Sequence, residues 1–188
     1  MNKYLICIVV IIISTVLFSC NKEIVEQEKS NVINPIDSIG SFFVKAEKIA
    51  GEGIALYLIS GVQVDRIPNL SYNMNWTLFF VKGNRIIKFT MTQGKTEVSD
   101  KTPQELAIGY EYIYKNDERL KSILSPKIVW DLCLQKYNKK ILNIEVFAPL
   151  LAKKSNFIYR FYSKEGYNQL GVNYFVFSAK SGDDLTNQ

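Results

Sequence analysis

The first regular pattern in the chain is a helix-start signal followed by apolar residues at helical spacing. Asn34-Pro35-Ile36-Asp37 places a capping residue before a proline at the first helical position, with an acid in the first turn. Apolar residues then recur as they do on one face of a helix, at Ile39, Phe43, Ala46 and Ala50. We predict a helix here that ends at Gly51 or Gly53.

The apolar period then changes from that of a helix to that of a strand. Ile54–Leu58 is almost wholly apolar, and Val62 and Val64 continue its even-numbered face. We therefore predict a strand that begins near Ile54, with Ser60-Gly61 as a candidate break.

The segment Trp76–Thr92 has the pattern of a β-hairpin. Gly83-Asn84 is a two-residue loop with glycine first, which suits a type II′ turn and pairs Lys82 with Arg85. This register sorts the side chains into two faces. One is wholly apolar, with the pairs Phe80–Ile87, Leu78–Phe89 and Trp76–Met91; the other is mixed, with Thr77–Thr90, Phe79–Lys88 and Val81–Ile86. We predict an antiparallel sheet that is covered on its apolar face.

Two further helix starts follow the hairpin. Thr102-Pro103-Gln104-Glu105 is a capping box, and the buried stripe of its helix is predicted at Leu106, Tyr110, Ile113 and Tyr114. Ser125-Pro126 opens another helix in the same way, and its inward residues are predicted as Val129, Leu132, Cys133 and Tyr137.

Two or three strands are predicted to close the chain, at Ile141–Ala148, Phe157–Tyr162 and Val172–Ser178. Pro149 keeps the first of them short or places it at an edge. The order helix, strands, two helices, strands predicts the α+β class, with helices packed on one face of an antiparallel sheet. We expect residues 35–188 to form a single domain of this kind.

Composition narrows the possible chemistry. The 188 residues include no histidine and three cysteines, with 23 Lys+Arg against 18 Asp+Glu. Without histidine there is no Ser-His-Asp or Cys-His catalysis and no His-ligated metal, and three cysteines make neither a zinc site nor a disulfide framework. Cys133 is expected to be a small buried hydrophobe. We predict no cofactor, no metal and no catalytic residue.

The N-terminus has the pattern of a secretory signal. Met1-Asn2-Lys3 is basic, and Tyr4–Phe18 is apolar apart from Ser14 and Thr15. That run is shorter than the ~20 residues that span a bilayer. It ends in Leu17-Phe18-Ser19-Cys20, which resembles the lipobox of bacterial lipoproteins: Leu17, Ser19 and Cys20 match the pattern, whereas Phe18 is larger than the usual residue.

This resemblance implies that residues 1–19 are removed as a signal peptide and that Cys20 carries the acyl chains of a membrane anchor. Residues 20–34 are then a lipidated cysteine with a flexible tether. Asn21, where inner-membrane lipoproteins of some bacteria carry aspartate, favours the outer membrane of the cell envelope over the inner one. The alternatives are an ordinary cleaved signal peptide and an uncleaved anchor.

Five lysines lie near the end of the helix that Ser125-Pro126 opens and in the chain after it: Lys136, Lys139, Lys140, Lys153 and Lys154, with Glu145 as the one acid among them. This candidate basic patch suits anionic lipid headgroups, lipopolysaccharide or an acidic partner. Nucleic acid is disfavoured by the compartment. The alternative is a solvated charged face.

The last strands are crowded with aromatic residues at both strand parities, so one set is expected to face the helices and another to face outward. Outward tyrosines favour a contact surface. The candidate partner-binding residues are Tyr162, Tyr167 and Tyr174, and the alternative is that flanking loops cover them.

These features predict an envelope-anchored lipoprotein whose domain binds another protein without catalysis, as an accessory subunit of an envelope complex or as an inhibitor or immunity-type factor. The second hypothesis is a lipoprotein that holds a glycan or lipid between its sheet and its helices. A histidine-free hydrolase using two carboxylates is the third, with Asp117-Glu118 and Asp183-Asp184 as the adjacent acids.

Overall fold

The computed structural model describes residues 34–93, 95–101, 109–150, 156–163 and 174–187. The predicted signal peptide, Cys20 and most of the tether lie outside these ranges. Two α-helices and a 3-10 helix occur in them: α1 (Pro35–Ala50), α2 (Pro126–Tyr137) and the short helix Glu118–Ser122. Neither α-helix in these ranges has the length and hydropathy that crossing a bilayer requires.

The described strands are β1 (Ala55–Gln63), β2 (Met74–Lys82), β3 (Arg85–Thr92), β4 (Lys95–Lys101), β5 (Ile113–Tyr114), β6 (Ile141–Phe147), β7 (Ile158–Ser163) and β8 (Tyr174–Ser178). They form an antiparallel sheet of order β4-β3-β2-β1-β6-β7-β8, with β5 paired to β1. The buried residues of α1 and α2 share one hydrophobic cluster with one face of this sheet. The predicted α+β class is confirmed.

The hairpin of β2 and β3 has the register that the sequence predicts. All seven predicted pairs, from Trp76 with Met91 to Lys82 with Arg85, are observed. Gly83 has a φ of +55°, as the first position of a type II′ turn requires. Asn34 caps α1, and its side chain accepts a hydrogen bond from the backbone of Ile36 at 3.2 Å. The β2–β3 hairpin and α1 therefore form where the turn and capping residues agree with the pattern of buried apolar side chains.

The predicted face of β1 is wrong beyond Leu56. The strand runs unbroken through Ser60-Gly61, but its register with β2 shifts between Leu56 and Leu58. This β-bulge adds a residue and exchanges the two faces. Ile59 and Gly61 therefore lie on the helix side, and Val62 is exposed.

The prediction of a helix through Tyr114 is also wrong. Its start, residues 102–108, lies outside the described ranges, but Tyr110 forms a β-bridge with Pro149, and β5 pairs with the start of β1. The apolar spacing alone would allow a helix here. The backbone N–H and C=O groups of these residues instead find hydrogen-bond partners in neighbouring strands, so the segment joins the sheet. The apolar pattern does not predict β4, because all of its residues except Val98 are polar or charged. Pairing with β3 places it in the sheet.

The α2 helix is present, but its buried face differs from the predicted one. Val129 and Cys133 are buried as predicted, whereas Leu132 is exposed and Trp130 takes its place in the core. The Trp130 ring packs edge-on against Tyr72, with ring centroids 5.5 Å apart, and also contacts Phe161. β6, which precedes Pro149, is short but central, between β1 and β7.

Candidate functional site

A group of aromatic and charged side chains lies on the sheet face opposite the helices. β6 contributes Glu145 and Phe147, β7 contributes Arg160 and Tyr162, and β8 contributes Tyr174; Tyr57 of β1 and the bridge residue Tyr110 adjoin them. Strand register brings the group together, since Glu145 lies opposite Arg160, and Tyr162 lies opposite Tyr174. We call these seven residues the outer-face cluster.

Glu145 is the polar centre of the outer-face cluster. Its Oε2 accepts hydrogen bonds from the hydroxyls of Tyr162 at 2.5 Å and Tyr110 at 3.3 Å. Arg160 Nη1 lies 3.6 Å from the same oxygen and donates to the Tyr162 hydroxyl at 3.3 Å. The positive charge of Arg160 thus compensates the partly buried Glu145 carboxylate, and the hydrogen bonds hold this carboxylate in one orientation.

The guanidinium of Arg160 lies close to two aromatic rings. Its central carbon is 4.5 Å from the ring centroid of Phe147 and 5.1 Å from that of Tyr174. The rings of Tyr162 and Tyr174 are 6.3 Å apart, and the Tyr110 ring lies 4.2 Å from Phe147. Such cation–π and ring contacts hold the arginine side chain in one orientation.

The phenols of Tyr162 and Tyr110 are hydrogen-bond donors at neutral pH. Burial, together with the neighbouring Glu145 carboxylate, raises the pKa of Tyr162 well above the usual value for tyrosine and also raises the pKa of Tyr110. Neither hydroxyl is therefore an activated nucleophile or base. This arrangement is suited to recognition by shape, stacking and hydrogen bonds.

The structure brings together two of the three tyrosines that the sequence analysis singled out. Tyr162 is partly buried, whereas Tyr174 is 44% exposed; Tyr167 lies outside the described residues. The split of the C-terminal aromatics is also observed, because Tyr159, Phe161 and Phe177 belong to the core on the other face. Sequence reasoning missed Arg160 and Glu145. The available signal was a charged residue at outward strand parity between apolar neighbours: Arg160 between Tyr159 and Phe161, and Glu145 between Ile144 and Val146.

The candidate basic patch is divided in the structure. Lys136 lies on α2 and forms an ion pair with Asp184. Lys139 and Lys140 are exposed in the connection between α2 and β6, and Lys153 and Lys154 lie outside the described residues. Glu145 is bonded to tyrosines and an arginine on the outer face. It is therefore not the acid that these lysines surround.

The adjacent acids considered for a hydrolase take part in local structural contacts. Asp117 accepts hydrogen bonds from the Arg119 side chain, which also pairs with Glu111 at 2.8 Å. Asp184 accepts hydrogen bonds from Tyr137 and Thr186 as well as from Lys136, and these bonds hold its pKa well below the usual range despite its burial. Among the described residues, no three potential ligands gather as a metal site would require.

Cys133 is buried on α2, as the sequence predicts, and burial raises the pKa of its thiol to about 12. We expect maleimide to label it slowly in the native protein and quickly in denaturant, because the thiolate is the reactive form. Mass spectrometry of the peptide containing Cys133 separates it from Cys7 and Cys20. In a Cys133→Ala variant, Lys180→Cys is a control for an exposed thiol, and native labelling of Cys133 at the same rate would contradict the prediction.

No family model matches the chain, and no curated protein is significantly similar to it in sequence. A solved structure has a similar fold: the crystal structure of a putative lipoprotein (CD1622) from Clostridium difficile 630. The match has a TM-score of 0.52 at 16% sequence identity and covers 85% of this chain and 95% of that one. At this level of identity the likeness is one of fold alone.

Proposed function

We propose that this protein is a lipoprotein anchored in the cell envelope through Cys20 and that its domain binds another protein through the outer-face cluster. The anchor is supported by the lipobox-like Leu17-Phe18-Ser19-Cys20 and by the description of the structurally similar protein as a lipoprotein. Two acyl chains together give stable anchoring, since each buried CH₂ contributes about 0.8 kcal/mol.

One observation carries the binding proposal: Arg160 is held between Phe147 and Tyr174 on a partly exposed sheet face. Arginine and tyrosine are enriched among the residues that dominate protein–protein affinity. Because contacts within the cluster already order these side chains, little conformational entropy remains to be lost on binding. In this proposal the protein is an accessory subunit that binds an envelope complex, or an inhibitor or immunity-type factor that binds its target protein.

The proposal assigns no catalysis to the domain. Asp117 and Asp184, from the two adjacent acid pairs, are engaged in structural contacts, and the one described thiol is buried and protonated. The alternative of a glycan or lipid held between sheet and helices has less support. That space contains large buried side chains in mutual contact, which such a ligand would have to displace: Phe42, Phe43, Trp76, Phe80, Phe89 and Trp130.

We expect Cys20→Ala to release the protein from membranes or to leave its signal peptide uncleaved, because no acylated thiol remains to anchor it. Membrane fractionation with mass spectrometry of the N-terminal peptide measures both. Cys133→Ala is the matched control and should stay on the membrane. A mature N-terminus beyond Cys20 in the unaltered protein would contradict the lipid anchor.

The binding proposal is tested at Tyr174, with Tyr114 as a matched control. These tyrosines are 44% and 56% exposed, but Tyr114 lies on β5, outside the cluster. A photo-crosslinking amino acid at position 174 identifies the partner in cells, and its affinity for the purified protein is then measured. We expect Tyr174→Ser to weaken binding by ~2 kcal/mol or more, about thirtyfold, and to leave the melting temperature nearly unchanged.

Tyr114→Ser should leave both quantities unchanged. Equal crosslinking from positions 114 and 174, or unchanged affinity in Tyr174→Ser, would contradict binding through the outer-face cluster. A large drop in melting temperature for Tyr174→Ser would show that this ring supports the fold instead.

A further inference from the structure

The loop between β1 and β2, residues 64–73, is held in place by hydrogen bonds at both of its ends and in the middle. Val64 donates to the Asn73 carbonyl at 3.0 Å, and the Gln63 side chain donates to the Ser71 carbonyl at 3.0 Å. Midway, Asn69 exchanges two backbone hydrogen bonds with Ile141, at 3.0 and 3.1 Å. The loop therefore presents its side chains in a defined arrangement.

This ordered loop exposes apolar side chains next to positive charge. Ile67 is 64% exposed and Leu70 is 43% exposed. Arg66 and the acid before it, Asp65, are also exposed, so the excess positive charge comes from outside the loop. The pairing of Asn69 with Ile141 brings the loop beside the exposed Lys139 and Lys140, which directly precede that residue. Large exposed aliphatic side chains rimmed by cations are typical of surfaces that meet a membrane interface.

Asn34, the last residue of the predicted tether, lies toward the end of the sheet that carries the β1–β2 loop. Residues 51–54 join α1 to β1, so the helix runs back along the strand. The C-terminal end of α1 lies at the start of β1, where Lys82 donates to the Ala50 carbonyl at 3.0 Å, and Phe43 contacts Phe80 further along the sheet. Asn34, at the other end of a helix about 24 Å long, therefore lies toward the end of β1 that leads into the loop.

We propose that the β1–β2 loop, with Arg66, Lys139 and Lys140, docks the domain onto an anionic phospholipid bilayer. This inference rests on the proposed lipid anchor, which holds the domain near such a surface and raises the effective concentration of the contact. Ile67 and Leu70 enter the headgroup region, and the cations meet lipid phosphates. Each lysine near an anionic surface multiplies the ratio of docked to undocked protein about fivefold.

The test uses the lipidated full-length protein in vesicles of phosphatidylcholine with and without phosphatidylglycerol. An environment-sensitive dye is attached at Ile67→Cys or, as control, at Tyr114→Cys, which is similarly exposed but lies at the opposite end of β1. Cys133 is buried, and a lipidated Cys20 is blocked. We expect the dye at position 67 to shift to the blue and to be quenched from the lipid phase only in phosphatidylglycerol vesicles. The dye at position 114 should remain in water.

Lys139→Gln with Lys140→Gln should lower the docked-to-undocked ratio about thirtyfold, as two lysines are removed. Melting temperatures measured in detergent verify that the variants fold. The docking proposal is contradicted if the dye at position 67 has the same emission and the same exposure to water as the dye at position 114. It is also contradicted if the dye at position 67 is shielded from water equally in detergent and in both vesicle types. The second result would mean that protein, or a second copy of the chain, covers the loop.

Mass spectrometry of the N-terminal peptide separates this inference from the anchor. If Cys20 carries no lipid, the anchor proposal fails, and docking is then judged by sedimentation of the same chain with phosphatidylglycerol vesicles. If the two lysine substitutions weaken vesicle binding, docking by the loop is supported. If vesicle binding is unchanged by the two substitutions, docking by the loop is contradicted.

Discussion

Trp130→Ala is expected to destabilise the domain by about 3–5 kcal/mol, the usual result of removing a large aromatic side chain from a packed core. Trp130 is almost wholly buried, and its ring contacts Tyr72 and Phe161, so it joins α2 both to the residues before β2 and to strand β7. Alanine leaves a cavity that these rings cannot fill without moving. Chemical denaturation followed by fluorescence or circular dichroism measures the loss.

Ile128→Ala, on the same helix, is the matched control. Ile128 is 50% exposed, so its truncation should change the free energy of unfolding by about half a kcal/mol or less. Similar effects from both substitutions would show that α2 is not packed on the sheet through Trp130. A near-zero effect of Trp130→Ala would contradict the observed core outright.

Gly61→Ala is expected to destabilise the domain by about 1–3 kcal/mol through overpacking. Gly61 lies opposite Trp76 on the neighbouring strand, and an added Cβ would meet that ring at 2.7 Å. Trp76 is fully buried, so its ring has little room to move away. The free energy of unfolding by urea, with an unchanged dependence on urea concentration, measures the effect.

Gly40→Ala is the opposite case and serves as the control. Gly40 is exposed within α1, and an added Cβ there has no neighbour within 4 Å. Alanine should therefore stabilise the helix by ~1 kcal/mol, because glycine loses more backbone entropy on folding. If Gly61→Ala also leaves the domain as stable as before or stabilises it, the close approach of β1 to Trp76 is wrong.

The sequence alone was sufficient where neighbours in the chain also determine the structure. Gly83-Asn84 sets the turn, and the turn sets every pair of the β2–β3 hairpin, because a shift by one residue would expose the apolar face. Asn34 and Pro35 define the start of α1 in the same way, through local capping and a preset φ. The lipobox-like segment is likewise a local pattern, and its lipidation remains a prediction.

The bulge in β1 and the pairing of β5 were decided by contacts between segments that are distant in the sequence. The bulge in β1 depends on how that strand meets β2, and it moves Val62 out of the core although the residue pattern continues unbroken. Ile113 and Tyr114 have helical spacing but pair with the start of β1. That part of β1 lies before the residues that pair with β6, so its backbone offers partners that the local pattern does not reveal.

The candidate surfaces depended on the tertiary structure in the same way. The sequence identified Tyr162 and Tyr174 as outward aromatics and Lys139 and Lys140 as cations. Their neighbours come from β1, β6 and the β1–β2 loop, tens of residues away in the chain. Periodicity determines which face of its own element a side chain occupies, whereas sheet order and register determine which side chains it meets there.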